Sequence, residues 1–208
     1  AFAGQSTPWP VALADQSANP ALDEALHTHA AAAQALLYPV SAELLATTGR
    51  PVDLFGFEPN PARLGAAAAA SASVPGIALT QLGALLDAAA LGYNPAQAKP
   101  VAVLGHSQGV LAVHMVQAIC EAGSIDAAAA KIDEILAIAT LIGVAGTRQA
   151  RQLGLAARHG EATPMLSVKD ITRAQVDALI ERVDGARGPI AVAVTNSATH
   201  YVLSCYQI

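Results

Sequence analysis

Apolar positions along this chain fall into blocks with two distinct periods. From Pro20 to about Thr48 they recur at helical spacing, and Gly49-Arg50-Pro51 supplies a stop. Gly76 to Leu91 repeats that spacing, with Ile77, Leu79, Leu82, Leu85 and Leu86 on one face, and Ile132 to about Arg148 predicts a further long helix. Val101–Leu104 is instead a short continuous apolar run, the pattern of a parallel strand covered on both faces. Phe2–Gly4 reads as a second short strand. GFEPNPARLG is loop-like, and AAAAASASVPG reads as helix followed by a Pro-Gly break.

After Gly160 the texture changes. PMLSVKD, ITRAQVDALIERV, PIAVAVTNS and HYVLSC predict strand, helix, strand and strand, with Thr172 as the helix cap. The expected organisation is a larger core over residues 1–160 and a small subdomain over 162–208. The chain opens on Ala1, and both AFAGQ at its start and HYVLSCYQI at its end are strand-like, so it is read as a piece of a longer polypeptide.

Composition narrows the function classes. With 208 residues, 53% of them hydrophobic, the chain can bury a sizeable core. A net charge of −5 without a basic stripe argues against nucleic acid as a partner. No apolar run is expected to reach the roughly 18–20 residues of a membrane span, and no basic segment precedes an apolar one at the N-terminus. The two cysteines, Cys120 and Cys205, lie far apart with no His or Cys at ligand spacing, which predicts a reduced, cytoplasmic protein without a metal site.

Gly105-His106-Ser107-Gln108-Gly109 carries the chemistry. It fits the G-x-S-x-G nucleophile elbow, in which a serine takes a strained turn between strand and helix while the glycines remove steric clashes. The helix expected to start near Gln108 would point its free N–H groups and positive end at an oxyanion, the requirement of acyl transfer. A plain strand-to-helix turn is the competing reading. His106 is expected to pack beneath the elbow. His27 and His29 read as surface residues facing different ways, His114 as a helix-flank residue and His159 as a loop residue. Cys120 reads as a small buried apolar side chain.

GHSQG, together with AFAGQ, SVPGIALTQ and TNSATHYVLS in that order, resembles the acyltransferase domains of fatty acid and polyketide synthases. LFGFEP, GHSQGVLAV, LIGVAGTRQARQLG and PMLSVKDITRAQVDALI are most similar to the acetyltransferase domain of actinobacterial type I fatty acid synthase, a relative of the fungal enzyme and of malonyl/acyl-CoA:ACP transacylases. The resemblance implies an α/β-hydrolase-like core and a ferredoxin-like subdomain, incomplete at the C-terminus. It implies that Ser107 takes an acetyl starter group from coenzyme A as an ester and passes it to the phosphopantetheine thiol of an acyl carrier protein. The backbone N–H groups of Gln108 and Gln5 would form the oxyanion hole, although Ser6 replaces the usual second glycine of the Gly-Gln loop.

The resemblance also bears on the base and on specificity. The family's catalytic histidine follows the NS…VLSG-like strand, which places the general base beyond Ile208. His200, inside that strand segment, is the alternative, and its other reading is an ordinary strand residue. Asn196 matches an asparagine at the active-site mouth, against a simple turn-forming role; Cys205 stands where the family has glycine. Malonyl-selective relatives carry an arginine where this chain has Ile142, and no Arg or Lys lies between Lys131 and Arg148. An apolar wall suits acetyl and leaves a malonyl carboxylate unpaired. No metal or redox cofactor is implied. The implied partners are acyl-CoA, the carrier protein and the other domains of a large homo-oligomeric synthase. A malonyl-selective transferase, a serine thioesterase and a non-catalytic fragment of a synthase are the alternatives.

Overall fold

A computed structural model describes residues 2, 9–37, 53–56, 70–152, 165–187 and 190–205. The chain divides into two units, Ala1–Thr147 and Arg148–Ile208.

The first unit is helical among its described residues. Helix α1 (Trp9–Ser17), α2 (Pro20–Leu37), α3 (Ala70–Ala90), the short α4 (Pro95–Ala98), α5 (Gly109–Ala122) and α6 (Ala129–Gln152) follow one another, with α6 continuing past the unit boundary. Helix α3 contacts α1, α2 and α5. Every residue from Ser71 to Gly83 on it is buried, as a helix apolar on all sides requires. Ile77, Leu79 and Leu82 of α3 share one core with Trp9, Leu26, Met115, Ile119, Ile132 and Leu136.

Two expectations for this stretch need correction. The Pro75-Gly76 pair does not break the helix; α3 runs through it. Gly76 is there for contact: a Cβ on it would lie 2.5 Å from the Trp9 ring, so glycine lets the indole press against the helix backbone. Because the two apolar segments join, α3 is long and apolar enough to cross a membrane by length and composition, contrary to the sequence expectation. In this fold 72% of that window is buried, so it serves as the core helix.

The apolar run Val101–Leu104 is not a buried strand. Among the described residues its one ladder contact is the parallel bridge just after it, between Phe2 and Gly105, where the Phe2 N–H donates to Leu104 O at 2.9 Å and the His106 N–H donates to Phe2 O at 3.2 Å. Val101 is fully exposed and Leu104 is 67% exposed, since no other strand among the described residues flanks the run. Phe2 thus makes a strand-like contact as expected, while the rest of Phe2–Gly4 lies outside the described residues. So do His159 and the end of the predicted Pro20–Thr48 helix.

The second unit follows the predicted order. Strand β1 (Met165–Lys169), helix α7 (Arg173–Arg187), β2 (Ile190–Ser197) and β3 (His200–Cys205) form a three-stranded antiparallel sheet in the order β1-β3-β2. Thr172 caps α7 as predicted. Its hydroxyl and N–H both donate to Gln175 Oε1 at 2.9 Å, the reciprocal arrangement of a capping box. Val176 of α7 packs on Tyr201 and Leu203, so alternate β3 residues face the helix while His200 and Val202 face the other way.

Candidate active site

Helix α5 starts at Gly109, and Gln108 is its N-cap residue. The N–H of Gly109 donates to His106 O at 2.8 Å, that of Val110 to Ser107 O at 3.1 Å and that of Leu111 to Gln108 O at 3.0 Å. These bonds draw the first turn tightly over the residues before it. Gly105 lies so close beneath this turn that a Cβ on it would overlap the Gly109 carbonyl and stand 2.7 Å from Val110 N. The motif's first glycine is therefore required by contact with backbone.

Ser107 takes the strain of the bend. Its φ is +53°, in the left-handed region that costs an L-residue roughly 1–2 kcal/mol. The side chain is exposed at the start of α5. The neighbouring Gln108 N–H donates to no described group, so it is open to an incoming acceptor at a helix N-terminus. The Gln108 side-chain oxygen is buried without a hydrogen-bond partner among the described residues. Gln5 lies outside the described residues.

His106 is exposed and does not lie beneath the elbow; its peptide serves the bend by donating to Phe2 and accepting from Gly109. Cys120 is also exposed, on the outer side of α5, and not the buried residue its apolar neighbours suggested. Ile142, on α6, is 52% exposed together with Ile138 and Leu141, so it is surface rather than core.

Asn196 and His200 come together in the second unit. His200 Nε2 lies 2.9 Å from Ser167 Oγ and 3.4 Å from Asn196 Nδ2, on the sheet face opposite α7. The part played by Ser167 was missed in the sequence, because only the β1–β3 register brings it beside His200.

His27 and His29 are structural in kind. His27 stacks on Phe55 with ring centroids 3.7 Å apart and stands 3.3 Å from Asp23. His29 departs from the surface expectation: it is 9% exposed and its Nδ1 is 2.7 Å from Asp133 Oδ1, tying α2 to α6. No group of three His, Cys, Asp or Glu side chains converges among the described residues.

Comparison with curated proteins gives no match. Residues 59–204, more than two thirds of the chain, match the family model described as starter unit:ACP transacylase in aflatoxin biosynthesis. The matched span takes in the Ser107 bend and the strands that carry Asn196 and His200. The chain belongs to the starter unit:ACP transacylase family, and is thereby an acyltransferase domain whose partner is an acyl carrier protein.

Proposed function

We propose that this chain transfers an uncharged starter acyl group, acetyl being the smallest, from coenzyme A to the carrier protein of a type I fatty acid synthase, with Ser107 as nucleophile. The observation that carries the reading is the exposed Ser107 at φ +53° beside an unused Gln108 N–H. The serine oxygen attacks the thioester carbonyl, the C–S bond breaks, and coenzyme A leaves as the thiol with the serine proton. The resulting ester is attacked by the carrier's pantetheine thiol, which takes the acyl group and returns a proton to Ser107. Gln108 N–H, with Gln5 N–H as its expected companion, stabilises the oxyanion in both halves.

The general base in this reading follows Ile208, with His200 as the alternative. His200 is already in hydrogen-bond contact with Ser167 and Asn196, which favours a binding-face role for this trio over proton transfer. The fold proposed around the elbow is α/β-hydrolase-like, with the βαββ unit as part of a ferredoxin-like subdomain and the whole in a cytoplasmic, homo-oligomeric synthase. Donor choice follows from charge. The absence of Arg or Lys between Lys131 and Arg148 supports discrimination against malonyl, whose carboxylate would find no cation in that interval to replace the hydration it gives up.

Intact-protein mass spectrometry after mixing with acetyl-CoA tests the assignment. The expected result is an acetyl adduct on Ser107 that carrier protein discharges and Ser107→Ala abolishes. An adduct of unchanged yield in Ser107→Ala would overturn it; an adduct lost to water as fast without carrier as with it would make the protein a thioesterase.

A further inference from the structure

A cavity of about 340 Å3 lies between α1, the first two turns of α2 and the turn over residues 53–56. That volume falls within the roughly 300–1,000 Å3 of small-molecule sites. Leu13 and Leu54, 3% and 1% exposed, line it, so its apolar side is continuous with the core. Its aromatic wall is fixed in place. The rings of His27 and Phe55 both line the cavity and stack with centroids 3.7 Å apart and planes 13° from parallel. The Phe55 N–H and Gln34 Nε2 each donate to Asp53 Oδ1 at 3.0 Å, which ties the turn to α2. An aromatic side chain held in three ways at an open cavity is preorganised for contact with a ligand.

The polar groups of the lining are Ser17 and Asp23. Ser17 Oγ is buried and makes no hydrogen bond among the described residues, an arrangement that is unfavourable until a partner arrives. His27 Nδ1 is 2.9 Å from the Asp23 carbonyl oxygen, which can only accept, so this nitrogen donates to it. The Asp23 carboxylate, with Oδ1 at 3.3 Å, is a secondary acceptor for that proton and keeps capacity for another donor. Charge around the cavity is one-sided. Among the described residues no Lys or Arg lines it, and residues 1–147 carry four Lys or Arg against eleven Asp or Glu. An anion is repelled here and a cation attracted.

We propose that this cavity binds a small organic cation. Its ammonium donates to the Asp23 carboxylate and the Ser17 hydroxyl, and its ring or branched alkyl body lies against Leu13, Leu54 and Phe55. A charge-assisted hydrogen bond to Asp23 supplies the selectivity for a cation, and the aromatic wall adds to it. His27 contributes by holding Phe55 and by leaving the carboxylate available. No residue of the lining belongs to the elbow, α5 or α6, so the inference is independent of Ser107 being the nucleophile.

The probe is benzylammonium at pH 7, with benzyl alcohol as its neutral counterpart and benzoate as an anion. Each is titrated into the intact 15N-labelled protein and followed through the amide signals. For benzylammonium the expected result is a saturable shift with a Kd of about 1 mM, largest around residues 13–17, 23–27 and 54–55. Benzyl alcohol and benzoate should bind at least tenfold more weakly. Asp23→Asn, which keeps the shape of the side chain, should weaken benzylammonium about tenfold, and Ser17→Ala at least threefold. Asp126→Asn removes an exposed carboxylate outside the lining and should stay within twofold of wild type. The same spectra show whether each variant is folded; if one is not, the other and the neutral counterpart decide. Equal binding of benzyl alcohol and benzylammonium, shifts centred elsewhere, no saturable shift, or a loss in Asp126→Asn equal to that in Asp23→Asn would each overturn the proposal.

Discussion

Replacing Gly105 with alanine tests whether the serine is positioned by contact. The added methyl would overlap the Gly109 carbonyl and lie 2.7 Å from Val110 N, both of them backbone atoms in the first turn of α5. No side chain can rotate away, so the helix start must move by a sizeable fraction of an ångström. Overpacking of this kind costs about 1–3 kcal/mol of stability. The greater cost is chemical, because a shift of about 1 Å between nucleophile and oxyanion donors can lower a rate by about 10²-fold. Gly143→Ala is the control. A Cβ there would overlap the Ala70 carbonyl and lie 3.1 Å from Ser71 Cα, a comparable backbone clash made against α3 and not against the first turn of α5. Urea unfolding should show similar losses for both variants. Single-turnover acylation of Ser107, measured well below both transitions, should fall about 100-fold in Gly105→Ala and stay within about threefold of wild type in Gly143→Ala. Equal acylation rates in the two variants, or a normal rate in Gly105→Ala, would refute the contact argument.

Other consequences can be measured on the same protein. Ser107→Gly should abolish acylation yet leave stability unchanged or raise it by up to about 1 kcal/mol in urea unfolding, since glycine relieves the positive φ; a loss above about 1 kcal/mol would contradict the strain. Asp133→Ala removes the partner of nearly buried His29 and should cost about 1–3 kcal/mol by the same measurement, whereas Asp23→Ala, beside exposed His27, should cost under about 0.5 kcal/mol. Wild-type protein should favour acetyl-CoA over malonyl-CoA by about 10²-fold in kcat/KM, and Ile142→Arg should narrow that ratio; equal values for the two donors in the wild type would mean that a cation outside the Lys131–Arg148 interval reaches the site.

Local signals were legible where the information was local. The helical period from Ile132, the Thr172 cap and the strand-helix-strand-strand order of the second unit all reappear, because each is fixed within a few residues of itself. The elbow was legible because its steric demands are written as two glycines around a serine. What the sequence hid depends on partners far along the chain. Pro75-Gly76 looked like a break until Trp9 was seen packed against it, and His29 looked exposed because Asp133 is 104 residues away. Val101–Leu104 has the composition of a buried strand, but composition does not say which strands flank it. Cys120 has apolar neighbours in sequence, yet it sits on the outward side of a helix whose inward side carries Met115 and Ile119.

The elbow also has a mechanistic corollary. Ser107 is held by residues that precede α5, through the Gly105 contact and the Phe2 bridge. Substitutions there move the serine relative to the Gln108 N–H without altering any surface that the acyl chain meets. They should therefore change acylation of every donor by a common factor and leave the ratio between donors as it is.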